Sequence, residues 1–302
     1  MAMRVTNGMM QTQLMSNLNK NLNRLSELSN QSSSGLKLTK PSDDPSGIAY
    51  ALRYRTELAY NDQHQTNTDS ALSWMEMTDS VLGEAGDIVK RIKELAVQGS
   101  NGTNDENGLN AIKEELEQLK NQLIDIGNSK INGKYIFNGE DFTSMPYDSS
   151  AAGFDASGVT TDGKAVEYTI STGVTMQVNI SGNDVFGAAN ASDNIFEIID
   201  QLSSAINAQD HSAISAQLTN IDAAAERISS AQSLNGARTN RIELMQSRLE
   251  NLQLNLTDMQ SGVEDADMEE VLIQATSAQS VYEASLSVGS KMISTSLLDF
   301  LN

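Results

Sequence analysis

Residues 214–259 read ISAQLTNIDAAAERISSAQSLNGARTNRIELMQSRLENLQLNLTDM, and their apolar spacing decides the fold. Ile214, Ile221, Ile228, Asn235, Ile242, Leu249 and Leu256 share one heptad position; Ala224, Ala231, Met245, Leu252 and Met259 share the other. As one helix this stretch spans about 69 Å at ~1.5 Å per residue. Asn235 and Arg238 interrupt the stripe, and Asn235-Gly236 marks a candidate local break. A compact globule has no need of so long a helix, so an elongated molecule is expected.

Outward from this stretch the helical pattern recurs. Before it, Ile195, Ile198, Leu202 and Ala205 give one helical face. Between Thr66 and Gln98, Leu72, Met75, Leu82 and Val89 form one stripe, and Val81, Ala85, Ile88, Ile92 and Leu95 an adjacent one. A face that wide belongs to a helix buried in a bundle. Leu109, Ile112, Leu116, Leu119, Leu123 and Ile126 follow, closed by Gly127-Asn128. Residues 131–190 change period: Val166, Tyr168 and Ile170, then Val174, Met176, Val178 and Ile180, alternate with polar residues around a Thr172-Gly173 turn. Tyr135-Ile136-Phe137 is a further short strand.

Both ends of the chain carry heptads. At the start, Leu14, Asn21 and Leu28 alternate with Leu18 and Leu25 until Ser32-Ser33-Ser34-Gly35 stops the helix. This narrow stripe fits an amphipathic helix on a core and equally a coiled-coil strand awaiting a partner. At the end, Leu272, Gln279, Leu286, Ile293 and Phe300 hold one position, and Ala275, Tyr282, Gly289 and Ser296 the other. Small residues there permit close helix approach. The chain is therefore expected to run out along helices, turn through the insert and return, bringing its ends together. The expected fold is mainly α: an elongated antiparallel helical bundle with heptad-bearing termini and a small β-rich insert. Its expected parts are terminal assembly helices at 1–44 and 262–302, a bundle at 45–130 and 191–261, and the outer insert at 131–190.

Composition narrows the function. The 302 residues carry 40 Asp and Glu against 20 Lys and Arg, a net charge of -20, which disfavours nucleic acid because phosphate binding needs clustered cations. No apolar run approaches the ~20 residues of a membrane span, and Met1 to Gln11 lacks the apolar core of a secretory signal. That fits a cytoplasmic protein or one exported without a cleaved signal. With no Cys and only His64 and His211, thiolate zinc sites and cysteine nucleophiles are excluded and little is left for metal or general-base chemistry.

The motifs that look like chemistry fail on their details. Gly158 to Ala165 approaches a phosphate-binding loop, but Ala165 lacks the Mg²⁺-holding hydroxyl and a strand follows. Thr103 to Glu114 has calcium-like spacing at Asp105, Asn107, Gly108 and Glu114, but begins on Thr and contains the start of the next helix. Asp43-Asp44 before Pro45 reads better as a helix cap, since a carboxylate accepts the free amides of the first turn and Pro at the first helical position has none to waste. No catalytic residue, metal ligand or cofactor site is assigned.

Four stretches carry a resemblance: Ser33-Ser34-Gly35-Leu36-Lys37; Pro41-Ser42-Asp43-Asp44-Pro45 with Gly47 to Ala51; Asn132 to Gly139, including Tyr135 and Phe137; and Leu297 to Leu301. The chain resembles the flagellin superfamily and, within it, the hook-associated protein 3 family of hook–filament junction subunits. That resemblance implies a non-enzymatic adaptor that is exported by the flagellar type III apparatus with a chaperone and comes to rest in the extracellular flagellum. It implies hook-associated protein 1 and flagellin as polymer neighbours, self-association in a ring, and terminal helices that order on assembly. The alternatives are flagellin itself and a secreted coiled-coil adhesin or effector.

Overall fold

A computed structural model describes residues 7–101, 105–151 and 153–301, with side chains from Gly8 to Lys291. The protein is mainly α. Helices α1 (Asn7–Ser34), α2 (Pro45–Gly99), α3 (Glu106–Gly127), α4 (Gly182–Phe186), α5 (Ile195–Asn207), α6 (His211–Glu264) and α7 (Met268–Leu301) account for most of it. A short 3-10 turn at Ala156–Gly158 and two antiparallel hairpins, β1 (Lys130–Ile131) with β2 (Lys134–Tyr135) and β3 (Glu167–Ser171) with β4 (Val174–Gln177), make up the other regular structure among the described residues. The chain divides into two compact units, residues 1–60 with 253–302, and residues 61–252.

The larger unit holds the main core. Ile214, Ile221, Ile228, Ile242 and Leu249 of α6 are buried at the heptad spacing, together with Leu82, Val89 and Ile92 of α2 and Leu116 and Leu123 of α3. The candidate break at Asn235-Gly236 does not form; α6 is continuous. The buried Asn235 amide donates to the Met75 carbonyl of α2 at 2.8 Å, so the polar residue is accommodated inside the seam instead of ending it. Arg238 leaves the stripe for the insert, where it donates to the Asn179 carbonyl and the Gln177 side chain.

Local chemistry sets the other ends. Asp105 accepts the Gly108 amide and caps α3, while Asn194 accepts the Phe196 amide and caps α5. The β3–β4 hairpin turns at Thr172-Gly173, with Gly173 at φ +74°. The expected strand Tyr135-Ile136-Phe137 is shorter: β2 stops at Tyr135, and Ile136 and Phe137 enter the core. Its hairpin partner β1 is joined through Asn132 (φ 50°) and Gly133 (φ 80°), the left-handed pair that a two-residue turn requires.

Residues 131–190 share the core of the helices. Phe137, Tyr147, Phe186 and Phe196 form a cluster with neighbouring ring centroids 5.3–5.9 Å apart. Burial pushes the Tyr147 hydroxyl pKa up. Asn128, just past α3, donates to the Tyr147 carbonyl and accepts its amide, which presses the ring against Gly127. A Cβ at residue 127 would lie 2.7 Å from the Tyr147 ring. Gly127→Ala should therefore cost about 1–3 kcal/mol by overpacking. A melt of the variant should fall by roughly 2–4 °C per kcal/mol, and an unchanged melt would show that the ring is free to move aside.

Candidate assembly surface

In the smaller unit, α1 and α7 lie antiparallel, fastened at one end by a bridge between Leu36 and Asp265. The connector that follows α1 is built from the motif residues. Gly35 takes φ +72° and its amide donates to the Gln31 carbonyl, ending α1 in a left-handed cap. Its own carbonyl accepts the Ala266 amide, and the Lys37 amide donates to the Glu264 carbonyl. Glu264 is buried, and its carboxylate accepts from Arg55 at 2.8 Å and from Gln260 at 3.0 Å.

The Pro-Ser-Asp-Asp-Pro stretch is a double cap. Asp43 accepts the Lys40 amide at 2.9 Å and the Thr39 amide at 3.2 Å, and those backbone donors hold its pKa below the usual carboxylate value. Asp44 accepts the Ser46 hydroxyl at 2.7 Å and the Ser46 amide at 3.0 Å, starts α2 at Pro45, and is likewise lowered, first by the Ser46 hydroxyl. A Cβ at Gly47 would sit 2.6 Å from Leu38 and 2.7 Å from the Asp44 carboxylate, so the buried Leu38 fits only over a glycine. Gly35, Leu36, Asp43, Asp44, Pro45 and Gly47 thus make one folded connector. Phe137 belongs to the core of the other unit, where Tyr135 is buried in β2 with the Lys130 ammonium over its ring.

Leu14, Leu18, Asn21 and Leu25 are half-buried and Leu28 is buried. Asn21 donates to the Ser285 hydroxyl at 3.2 Å, and Gly289 faces Leu14. On α7, Ala275, Tyr282 and Gly289 face α1, and their companions are Val271, Ala278 and Ser285, one position from the Leu272–Gln279–Leu286 stripe. Leu272 and Leu286 are 52% and 44% exposed. The leucines of α1 fill the seam, and apart from Tyr282 and Val271 the α7 side chains turned to it are small, with Leu272 and Leu286 beside it. The side chains of Ile293 and Phe300 lie outside the described residues.

In heptad terms, Val271, Ala278 and Ser285 are d and Ala275, Tyr282 and Gly289 are a. Leu272, Gln279 and Leu286 then occupy e, and Gln274, Val281 and Val288 occupy g. These flanks usually carry charged residues in a two-stranded coil. Val281 and Val288 are about half exposed, as are Met15 and Leu22 at e on α1. Most of the exposed large hydrophobic residues among those described belong to this unit, which buries only Leu28, Leu38, Ala51, Leu256 and Val271 as apolar core. This surface is apolar side-chain area on helices.

The motifs that resembled chemical sites have structural partners. Asp105 is a helix cap, Thr103 lies outside the described residues, and Lys164 pairs with Glu140 at 3.2 Å. His211 Nδ1 lies 3.1 Å from the Gly99 carbonyl. No described helix is long and apolar enough to cross a membrane.

Comparison with known proteins gives a consistent family. The bacterial flagellin N-terminal helical region matches residues 5–141, and the C-terminal helical region matches 218–301. Flagellin of Halalkalibacterium halodurans is 26% identical over 269 residues, 89% of this chain and 88% of that protein. Flagellar hook-associated protein 3 of Salmonella typhimurium is 27% identical over 187 residues, 62% of this chain and 57% of that protein. In fold, the chain is similar to a putative flagellar hook-associated protein from Vibrio parahaemolyticus, with TM-score 0.67 and 18% identity, covering 74% of this chain and all of that one. It is also similar to Bacillus cereus FlgL, with TM-score 0.59 and 20% identity, covering 69% and 99%. The chain belongs to the bacterial flagellin family, whose members are structural components of the flagellum.

Proposed function

We propose that this chain is the structural adaptor that joins the flagellar hook to the filament and polymerises through α1 and α7. The observation that carries the reading is the apolar surface of α7 outside its pairing with α1, with Leu272, Val281, Leu286 and Val288 all about half exposed. A helix apolar on its partner face and on both flanks is built to be covered on more than one side. In the free chain only one side is covered. Salmonella hook-associated protein 3 is among its relatives, and the similarity to hook-associated folds extends over the whole of those chains. These features support the junction role over the filament role. Hook-associated protein 1 and flagellin are the proposed neighbours above and below, with copies of this chain arranged in a ring. The exposed stripe of α7 is also the proposed seat of an export chaperone, which would shield it before secretion. Gly35, Leu36, Asp43, Asp44, Pro45 and Gly47 hold the connector that aims α1 and α7.

The terminal helices are proposed to be loosely held until assembly. A large side chain gains ~1.5–3 kcal/mol only when it is fully buried. Ordering costs ~1–2 kcal/mol per backbone residue, and the α1–α7 pair buries few large side chains completely. Such a chain can be threaded through a narrow export channel and then ordered by its neighbours.

Three outcomes test this. A strain lacking the gene should build hooks, carry no filament and release flagellin into the medium; normal filaments on hooks would defeat the junction role. Amide exchange of the purified chain should be fast before about residue 40 and after about residue 265, and slow in the core of residues 61–252. Equal protection throughout would remove the assembly-coupled step. Leu286→Asp should leave the melt of the free chain nearly unchanged, because residue 286 is exposed there, and should abolish incorporation into the appendage. A large fall in melting temperature would place Leu286 in an ordinary intramolecular core.

A further inference from the structure

Along α6, Arg227, Ala231, Leu234 and Arg238 share one stripe, with a cation at each end and apolar groups between. Gln177, Asn179 and Ile180 of the insert lie beside it, and the two sides enclose a groove of about 250 Å³ within the larger unit. Ile180 and Ala231 are buried in its lining, whereas Leu234 is 48% exposed. The two arginines are not equivalent. Arg227 spends its fork within the chain, donating to the Val185 and Asp193 carbonyls and to the Asp193 carboxylate. Arg238 donates only to uncharged acceptors, the Asn179 carbonyl at 3.1 Å and the Gln177 side chain at 3.2 Å. A guanidinium has five N–H donors, so three of those on Arg238 have no acceptor among the described residues. The group is half-buried and in no ion pair among the described residues, although the chain carries 40 Asp and Glu. Asp184, on the same groove, turns its carboxylate to the Ser181 hydroxyl. Burial lowers the Arg238 pKa below the usual guanidinium value, and the Asp184 charge only partly restores it.

We propose that this groove binds a carboxylate carried on a short apolar stem, with the carboxylate on the Arg238 fork and the stem against Leu234 and Ile180. A planar fork with free N–H groups matches the two oxygens of a carboxylate. Asn179 and Gln177 already hold that fork, so little side-chain freedom is lost when a ligand arrives. The apolar lining selects against a bare inorganic oxyanion, which would leave Leu234 uncovered, and favours a ligand that removes that area from water. A free dicarboxylic acid and a glutamate side chain on another protein both offer this chemistry. The site lies within residues 61–252 and depends neither on the α1–α7 surface nor on the junction role.

Glutarate is the probe, read on the full chain through the Arg238 Nε–H resonance. It should shift that resonance saturably, with a dissociation constant on the order of 1–10 mM. Neutral glutaramide and inorganic phosphate should bind about tenfold more weakly or worse, the first for want of charge and the second for want of a stem. N-acetylglutamate N-methylamide, whose only carboxylate is a side chain, separates the two sources. Binding as tight as that of glutarate assigns the groove to a protein partner, and weaker binding assigns it to a free acid. Arg238→Gln should weaken glutarate binding by about tenfold or more. Because Arg238 also ties α6 to the insert, a second variant keeps it in place. Leu234→Glu sets a carboxylate one turn before Arg238 on α6, where it should occupy the fork, shift the Nε–H resonance without ligand and cut glutarate binding by about tenfold. No saturable shift with glutarate, equal binding of glutaramide or phosphate, or unchanged binding to either variant would each overturn the proposal.

Discussion

A two-helix pair offers each helix a single partner, and α7 carries apolar residues for more than one. Its seam toward α1 is made mostly of small groups, Ala275, Ala278, Ser285 and Gly289, with Val271 and Tyr282 beside them; the small groups let the backbones approach but bury little area. Its larger groups, Leu272, Ile273, Val281, Leu286 and Val288, point elsewhere. Close approach comes from the first set, and the apolar area still open to water lies in the second. Hydrophobic gain is proportional to area removed from water, so the free pair keeps most of its possible stabilisation in reserve. The larger unit makes the opposite choice: Ile214, Ile221, Ile228 and Ile242 are all fully buried within the chain.

The connector makes the smaller unit's geometry definite despite its thin core. Where apolar burial is scarce, backbone hydrogen bonds and caps carry more of the specification. Gly35 and Ala266 tie the two strands of the connector together, and Lys37 reads the Glu264 carbonyl beside them. Asp43 and Asp44 then close the turn into α2 in sequence, one accepting backward to Lys40 and the other forward to Ser46. Each such cap is worth ~0.5–2 kcal/mol, small against a core and large against a pair that has little core of its own. Gly47 matters for space: its missing Cβ is the room that Leu38 occupies.

Much of this was legible from residue spacing, and the failures have specific causes. The α6 heptad, the wide face of α2, the cap at Asp44-Pro45 and the Thr172-Gly173 turn are local patterns, and local patterns survive folding. On α7 size is no guide to the face that meets α1: opposite leucines a small residue fits better, and Gly289 facing Leu14 is the clearest case. Asn235-Gly236 looked like a break because its solution lies 160 residues away, in the Met75 carbonyl. The β1–β2 turn at Asn132-Gly133 went unread because the flanking strands are two residues long, too short for alternation to register. The groove between α6 and the insert could not be read at all, since it exists only once Asn179 and Arg238, from separate parts of the chain, lie side by side.

Polar residues inside the α2–α6 seam give the remaining contrast. Asn61 donates to the Leu249 carbonyl, Asn235 to that of Met75, and Thr68 turns its hydroxyl onto the His64 carbonyl of its own helix. All three side chains are buried. A single buried Asn in a helical seam lowers stability and fixes register, because any slip strands its amide against hydrocarbon. Two of them, on opposite helices and aimed at named carbonyls, pin α2 and α6 at two heights of the same seam. A seam with only isoleucines would be stickier and could slide by a heptad. This one holds its register within the chain, whereas the apolar flanks of α7 stay open to water.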